Sequence, residues 1–293
     1  MPATTSFFIS GHCEDRAYAN VRDSNSEVCQ RAKDYTELLW KKYSKFADPN
    51  FKTDARNHFR QRFWEMYLYC ALEERGFAPT RQGSEGPEFY FKHAGQKIWV
   101  EAIAPRPGSG GDAVPPRMAD GEMREVPAEK ILLRFTHAVQ EKFKKYKKDL
   151  AKQIVAPDDF VLLCINSGEI PNASFGGELP YYVQACLPFG SLQFFVNPKT
   201  GESSAVEFQF RNAITKRSGN IVSTENFLNE KMAPLIAVLH SSVDCVNRPD
   251  VLGADFSILH NPMSSYSLDH EIFCWAEQFR LSGESLKRTY PCI

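Results

Sequence analysis

The 293-residue chain lacks the features that mark several large classes of protein. It has no apolar run near the roughly 18–20 residues that a membrane-spanning helix needs. Its first ten residues contain no basic segment, and their apolar stretch is too short for a secretory signal. Its eight cysteines form no C-x-x-C or other close pair, so a structural zinc site is not expected. We therefore expect a cytoplasmic protein with reduced thiols and no membrane partner.

Two common nucleotide-binding motifs are also absent. The chain has no G-x-x-x-x-G-K-[ST] phosphate loop and no G-x-G-x-x-G fingerprint, which argues against ATP and dinucleotide cofactors. A formal net charge of −1 argues against a wholly basic nucleic-acid binder, but it is compatible with a local basic patch. The 43% hydrophobic and 24% charged residues are typical of a globular protein.

The distribution of apolar residues predicts helices and strands that include a crossover unit, and therefore an α/β fold with a partly parallel sheet. The predicted elements are an irregular segment 1–25, helices over 26–46 and 54–76, a hairpin over 87–103, a long loop over 104–127, a helix over 128–151 and a strand over 160–165. Because the last strand is a continuous apolar run that follows a helix, we expect it to lie parallel to the second hairpin strand. Further strands are predicted at Tyr181–Leu187, Leu192–Val196, Val206–Phe210, Leu235–His240 and Phe256–Leu259. We divide the chain into an N-terminal helical extension, residues 1–52, and one α/β domain, residues 53–293.

The hairpin is the most informative segment, because its geometry brings two carboxylates together. If the tight turn is Ala94-Gly95, counting back along both strands pairs Glu88 with Glu101. Directly opposed residues have Cβ atoms about 4.5–5.5 Å apart, and like charges there repel. Such a pair is tolerated when a cation lies between the carboxylates or when one of them is protonated. The alternative is a solvated face with two unrelated glutamates, and a register slip of one residue would separate them.

Two helices supply further candidate residues. Glu65 lies in a helix that is apolar around most of its circumference, so it needs a partner if it is buried. It is either an ordinary ion-pair partner of Arg62 or a third acidic group that supports a metal. On the helix after the loop, Lys142 falls about 20° from Ile131 and so points along the apolar stripe, whereas Lys145 points more outward. Lys142 either extends its amine to water or directs its charge into the site.

The same helix carries the candidates for contacts with phosphate groups. Lys130 and Arg134 flank its apolar stripe. Lys145 belongs to a lysine-rich stretch, Glu141–Lys148, that is either a solvated helix face or a salt-dependent binding surface for nucleic acid.

Taken in order, these pieces resemble the PD-(D/E)XK, or restriction-endonuclease-like, nuclease superfamily. In that pattern an acidic residue on a helix is followed by a strand opening with Pro-Asp and a strand bearing (Asp/Glu)-x-Lys. The matching positions are Glu65, Pro87-Glu88 and Glu101-Ala102-Ile103. Two departures stand out, since glutamate replaces aspartate after the proline and Ile103 replaces the lysine. Some members of the superfamily recruit a lysine from the following helix, and Lys142 is the candidate here.

The resemblance implies an α/β fold in which a mixed sheet is flanked by helices, with a restriction-endonuclease-like core. It also implies magnesium-dependent hydrolysis of phosphodiester bonds, with DNA favoured over RNA. Glu88 and Glu101 would bind Mg²⁺, Glu65 would support the metal, and Lys142 would complete the catalytic set. Because Ile103 removes the motif lysine, a catalytically inactive nucleic-acid-binding module of the same fold is the alternative, and a homodimer is left open. A third reading is a carboxylate-pair glycosidase in which the aromatic face of Tyr90 and Trp99 stacks on a sugar.

Overall fold

A computed structural model describes residues 6–83, 85–118, 122–174 and 177–292, without the side chains at 204–206 and 270. Its helices are α1 (Arg16–Asp23), α2 (Glu27–Tyr43), α3 (Phe51–Ala55), α4 (Phe59–Glu74), α5 (Ala128–Ala151) and α6 (Tyr181–Gln184). Its strands are β1 (Phe89–His93), β2 (Gln96–Ile103), β3 (Phe160–Asn166), β4 (Phe189–Val196), β5 (Ser203–Phe210), β6 (Ala213–Thr215), β7 (Ile221–Ser223), β8 (Leu235–Ser241), β9 (Ser257–His260), β10 (Glu277–Ser282) and β11 (Ser285–Thr289). Residues 1–5 of the predicted extension and 119–121 of the predicted loop lie outside the described residues.

Within the described residues, seven strands form one mixed sheet in the order β1-β2-β3-β8-β9-β10-β11. The hairpin β1–β2 is antiparallel, whereas β2 lies parallel to β3 and β3 lies parallel to β8. Helix α5 makes the crossover between β2 and β3 that was expected from the order strand, helix, strand. The chain is thus α/β with a large mixed sheet flanked by helices, as predicted.

The sheet separates two hydrophobic cores. Residues at alternate positions of β3 face opposite sides: Leu162 packs towards α1–α4, and Leu163 packs towards α5 and α6. Both residues are fully buried, which explains why β3 is a continuous apolar run. Helices α1 and α2 share the first of these cores with α4 and with the sheet.

Several predicted elements need correction. The segment 1–25 contains helix α1, which begins where the Asp15 carboxylate accepts hydrogen bonds from the amides of Ala17 and Tyr18. The helix predicted over 54–76 is two helices, because His58 between them adopts non-helical dihedral angles. The segment Tyr181–Leu187 contains helix α6 rather than a strand, and a short segment buried all round gives no periodicity that separates the two.

All eight cysteines are unpaired, and Cys70, Cys164 and Cys186 are buried. No helix in the described ranges is both long and apolar enough to cross a bilayer.

Candidate functional site

The hairpin has the predicted turn and register. Ala94 and Gly95 both have positive φ angles, 46° and 80°, as a two-residue type I′ turn requires. The registered pairs run from His93–Gln96 at the turn to Phe89–Val100 at the far end. As predicted, Tyr90 and Trp99 lie on one face, while Phe89 and Val100 lie on the other.

The regular ladder stops one residue short of the predicted pair of carboxylates. The amide of Glu88 donates to the carbonyl of Val100 at 3.1 Å, so Glu88 lies just outside β1 and is not in a regular pair with Glu101. Strand β2 continues to Ile103, beyond the start of β1. Because β2 extends beyond β1 at this end, the last residues of β2 can contact side chains from α4 and α5.

Glu101 is the centre of the candidate site. Its side chain is only 4% exposed, and it forms ion pairs with two lysines of α5. Lys142 donates to Oε1 of Glu101, which is the contact expected if Lys142 is directed into the site. Lys145 donates to Oε2 at 2.6 Å, to Oε1 at 2.9 Å and to the carbonyl of Gly86 at 2.9 Å. The expectation that Lys145 points outward is therefore wrong.

Glu65 reaches the same edge from α4. Its carboxylate accepts hydrogen bonds from Gln61 Nε2 and from Arg62 Nη1, each at 2.8 Å. The predicted ion pair with Arg62 is formed, but it is not a surface pair, because the Glu65 side chain is only 3% exposed. Burial raises the pKa of Glu65, and the charges of Arg62 and Lys142 oppose that rise.

Glu88 completes the group. It is half-buried, and its carboxylate makes no hydrogen bond or ion pair with any residue in the described ranges. Burial and the charges of Glu65 and Glu101 together raise the pKa of Glu88 to about 8, although the charges of Lys142 and Lys145 act to lower it. A carboxyl group of this kind holds a proton near neutral pH unless a cation takes its place.

The convergence of these side chains is the main feature of the site. Residues from α4, from the segment before β1, from β2 and from α5 act on one another's charge. Burial disfavours the charged form of Lys145, but the nearby Glu101 carboxylate outweighs burial and raises the Lys145 pKa. In the described part of the chain, no group of three or more His, Cys, Asp or Glu side chains is arranged to hold a metal ion. The charge compensation of Glu101 in the structure comes from the ammonium groups of Lys142 and Lys145.

The two remaining candidates for nucleic-acid contact lie elsewhere on α5. Arg134 lines a cavity beyond the end of β2, and Lys130 lies one turn before Arg134, in the first turn of the helix. At 1.5 Å per residue, Lys130 is about 18 Å along the helix axis from Lys142. Both residues therefore flank the carboxylate cluster and do not belong to it.

Two features of the aromatic face exclude the sugar-stacking arrangement. Trp99 is fully buried, and its indole nitrogen donates to Asp159 at 2.8 Å. Tyr90 packs edge-on against Trp99 with ring centroids 5.2 Å apart. No ring face of Trp99 is open to a ligand, so the basis for the glycosidase reading is lost.

Sequence reasoning missed Gln61 and misjudged Lys145. Gln61 connects the end of β2 to α4, since it donates to Glu65 and to the Ala102 carbonyl and accepts from the Ala104 amide at 2.7 Å. The signal for Lys145 was present, because residues three apart on a helix lie on neighbouring positions of one face and Lys142 was already placed. For Gln61 the signal was incomplete, because only Glu65 lies near it on the helix, whereas its backbone partners Ala102 and Ala104 lie some 40 residues away.

In comparisons with known proteins, no protein-family model, no curated protein and no solved structure matches this chain. The likeness to the nuclease superfamily therefore depends on the motif residues and on the order of the elements that carry them.

Proposed function

We propose that this protein is a magnesium-dependent nuclease with a divergent restriction-endonuclease-like core. The observation that carries the proposal is the contact between Lys142 and Glu101. This contact places the amine of Lys142, from α5, beside Glu101. Glu101 stands at the acidic position of the (Asp/Glu)-x-Lys pattern in the superfamily. Lys142 thus compensates for Ile103, which stands at the position of the motif lysine.

The donor chemistry of the site fits a hard divalent cation. Mg²⁺ prefers oxygen ligands, usually one or two carboxylates with water and substrate phosphate. Glu88 has a carboxylate without a hydrogen-bond partner in the described residues, and its raised pKa marks a place where a positive charge is favourable. Glu101 is the second proposed ligand, and binding there would require Lys145 to release at least one of its oxygens.

The roles of the protein groups follow from their surroundings. When bound, Mg²⁺ would supply Lewis acidity and a water of lowered pKa. Glu65, fixed by Gln61 and Arg62, would keep negative charge beside the cation. Lys142 would stabilise the negative charge that develops on the phosphate, because a fixed ammonium in a partly buried site needs little reorganisation.

A second candidate function is supported by a different contact. Lys145 bonds to both oxygens of Glu101, so the buried carboxylate is fully compensated without any ion. A chain that had lost catalysis would benefit from such a lysine, since it stabilises a charge that is otherwise costly to bury. In this reading the protein is a nucleic-acid-binding module that does not cut.

The test compares cleavage of a labelled DNA in Mg²⁺ and in EDTA. The nuclease proposal predicts Mg²⁺-dependent cleavage by the wild type and a loss of at least 100-fold in Glu101→Gln. Glu230→Gln is a matched control, because Glu230 is exposed and remote in sequence from the site residues. Equal cleavage by wild type and Glu101→Gln would overturn the assignment. Salt-sensitive binding without cleavage by any variant would favour the binding module.

A further inference from the structure

A cavity of about 430 Å³ lies beside the carboxylate cluster. Ile103 forms part of its wall and lies two residues after Glu101 on the same face of β2, about 6.6 Å along the strand. Gln61 joins the two regions, because it lines the cavity, donates to Glu65 and accepts from the amide of Ala104. Whatever occupies this cavity therefore lies next to the proposed catalytic residues.

The cavity wall carries two guanidinium groups that have no carboxylate partner. Arg60 is paired with Asp244 at 2.9 Å and is not one of them. Arg106 donates from one terminal nitrogen to the ring nitrogen of His58 at 2.7 Å and to the Asn57 carbonyl at 2.9 Å. Arg134 has a buried Nε without a hydrogen-bond partner among the described residues. Neither Arg106 nor Arg134 forms an ion pair with a carboxylate in the described ranges. This side of the cavity suits an anionic group such as a phosphate.

One carboxylate in the cavity is also without a hydrogen-bond partner. Glu169 follows β3, is half-buried and makes no hydrogen bond to a described residue. Burial raises the pKa of Glu169, and the charge of Arg106 opposes that rise. Asp15 is different, because its oxygens accept from three backbone amides at the starts of α1 and α4. Glu169 is thus the acceptor that remains for a ligand carrying N–H donors.

These groups fit a ligand with an apolar body, a phosphate and adjacent N–H donors. The apolar part of the wall is formed by Ile103, Ala104, Pro105 and Ala138. A carboxylate only accepts hydrogen bonds, so it pairs best with an edge that presents two neighbouring donors. The Watson–Crick edge of guanine presents an N1–H and an amino group side by side, whereas that of uracil or thymine has one N–H between two carbonyl oxygens.

We propose that this cavity binds one unpaired guanine nucleotide of a nucleic-acid strand, with the base on Glu169 and the phosphate on Arg106 and Arg134. The inference rests on the proposed function for the strand as substrate. Arg134 lies eight residues before Lys142 on α5, about 12 Å along the helix axis, so the nucleotide lies close to the phosphate that would be cut. Because the Watson–Crick edge must be free, the cavity selects single-stranded or unpaired positions.

The contact between the base and Glu169 is tested by measuring the binding of GMP and of UMP to the full-length protein in EDTA by calorimetry. A bidentate contact to a base discriminates by roughly 1–3 kcal/mol, so GMP is expected to bind roughly 5–150-fold more tightly than UMP. Glu169→Gln is expected to abolish this preference, because its amide offers one acceptor and one donor group. Glu230→Gln, which changes an exposed glutamate, is expected to retain it. Equal binding of GMP and UMP by the wild type, or an intact preference in Glu169→Gln, would overturn the proposal.

The phosphate half is tested with guanosine, which lacks the phosphate. Arg134→Gln is expected to weaken GMP binding about tenfold and to leave guanosine binding unchanged, because a charge-assisted contact to the phosphate is lost. Lys148→Gln is the matched control on the same helix, since Lys148 is exposed and does not line the cavity. A variant that binds GMP as the wild type does would remove Arg134 from the phosphate site.

These binding experiments separate the cavity from the proposed catalysis, since they need neither metal nor cleavage. The comparison of GMP binding therefore uses the wild type and Glu169→Gln, and cleavage is measured separately. If the wild type also cuts nothing but Glu169→Gln loses the preference for GMP, the nuclease proposal fails and the cavity assignment stands as a binding site. If cleavage depends on Glu101 but Glu169→Gln keeps the preference, only the cavity assignment fails.

Discussion

Replacing Glu101 by glutamine is expected to destabilise the fold strongly. The Glu101 side chain is 4% exposed, and its partners Lys142 and Lys145 are 18% and 35% exposed. The substitution leaves two ammonium groups in a partly buried place without their carboxylate. Removing one partner of a buried ion pair costs about 3–5 kcal/mol, and we expect a loss in the free energy of unfolding in that range.

The chain offers a matched surface pair for comparison. Glu141 and Lys144 also lie on α5 and are 2.6 Å apart, the same distance as between Lys145 and Glu101, but their side chains are 44% and 61% exposed. Because water screens an exposed pair, Glu141→Gln is expected to cost only about 0.2–1 kcal/mol. Because the distance is equal in the two pairs, a difference in cost reports the burial of Glu101 together with its second lysine partner.

The assay is urea unfolding at pH 7 in EDTA, followed by circular dichroism for the wild type and both variants. Adding Lys145→Met to Glu101→Gln is expected to recover part of the lost free energy, because one uncompensated ammonium is removed. A cost below about 1 kcal/mol for Glu101→Gln would instead mean that the cluster is effectively solvated and that burial does not strengthen these ion pairs.

Three further predictions concern other parts of the fold. His240 stacks on Tyr182 with ring centroids 4.7 Å apart, and burial lowers its pKa from 6.5 to about 3. Below pH 6.5 the unfolded chain therefore binds more protons than the folded one, so stability falls as the pH falls. Between pH 7 and pH 5 the free energy of unfolding should decrease by about 2 kcal/mol more in the wild type than in His240→Gln, as measured by urea unfolding at both pH values. Gly108 has a φ of +88°, and a Cβ there would lie 2.1 Å from Arg134 Nη1. Gly108→Ala should therefore destabilise the fold by more than about 1 kcal/mol. It should also displace the Arg134 guanidinium and weaken GMP binding in the calorimetric assay. Ala94 has a φ of 46° in its turn, a conformation that asparagine adopts more readily, so Ala94→Asn should raise the free energy of unfolding by about 0.5 kcal/mol in urea titrations.

The hairpin and the crossover could be predicted because short-range rules determine them. Gly95 marks the turn, and the turn sets the register of every pair up to Phe89–Val100. The continuous apolar run of β3 after a long helix is typical of a parallel strand buried on both faces. The same counting could not show that the ladder becomes irregular at Glu88, because that depends on the hydrogen bond from its amide to Val100.

Elements with weak local signals were either not predicted or assigned to the wrong class of secondary structure. Strands β10 and β11 contain glutamate, arginine and lysine, and pairing at the edge of the large sheet stabilises them despite this composition. Helix α6 was taken for a strand, because all four of its residues are buried and no polar face marks the helical period. In both cases tertiary packing outweighs the local pattern.

The residues of the candidate site could be proposed from the sequence, but their arrangement in space could not. The positions of Glu65, Glu101 and Lys142 follow from helical and strand periodicity, which brings them to one edge of the sheet. The cavity that contains Glu169 could not be found in this way, because its wall combines loops and helices from both cores. Such cavities are formed by chain segments whose relative positions cannot be inferred from their spacing in the sequence.

The proposed nuclease activity requires Lys142 to supply the amine that the superfamily pattern has at the position of Ile103. The most direct measurement is single-turnover cleavage of a labelled strand by wild type and Lys142→Met in Mg²⁺, with strand binding measured in the same samples. We expect Lys142→Met to bind the strand with unchanged affinity and to cut it at least 100-fold more slowly. Cleavage at the wild-type rate by Lys142→Met would contradict the account.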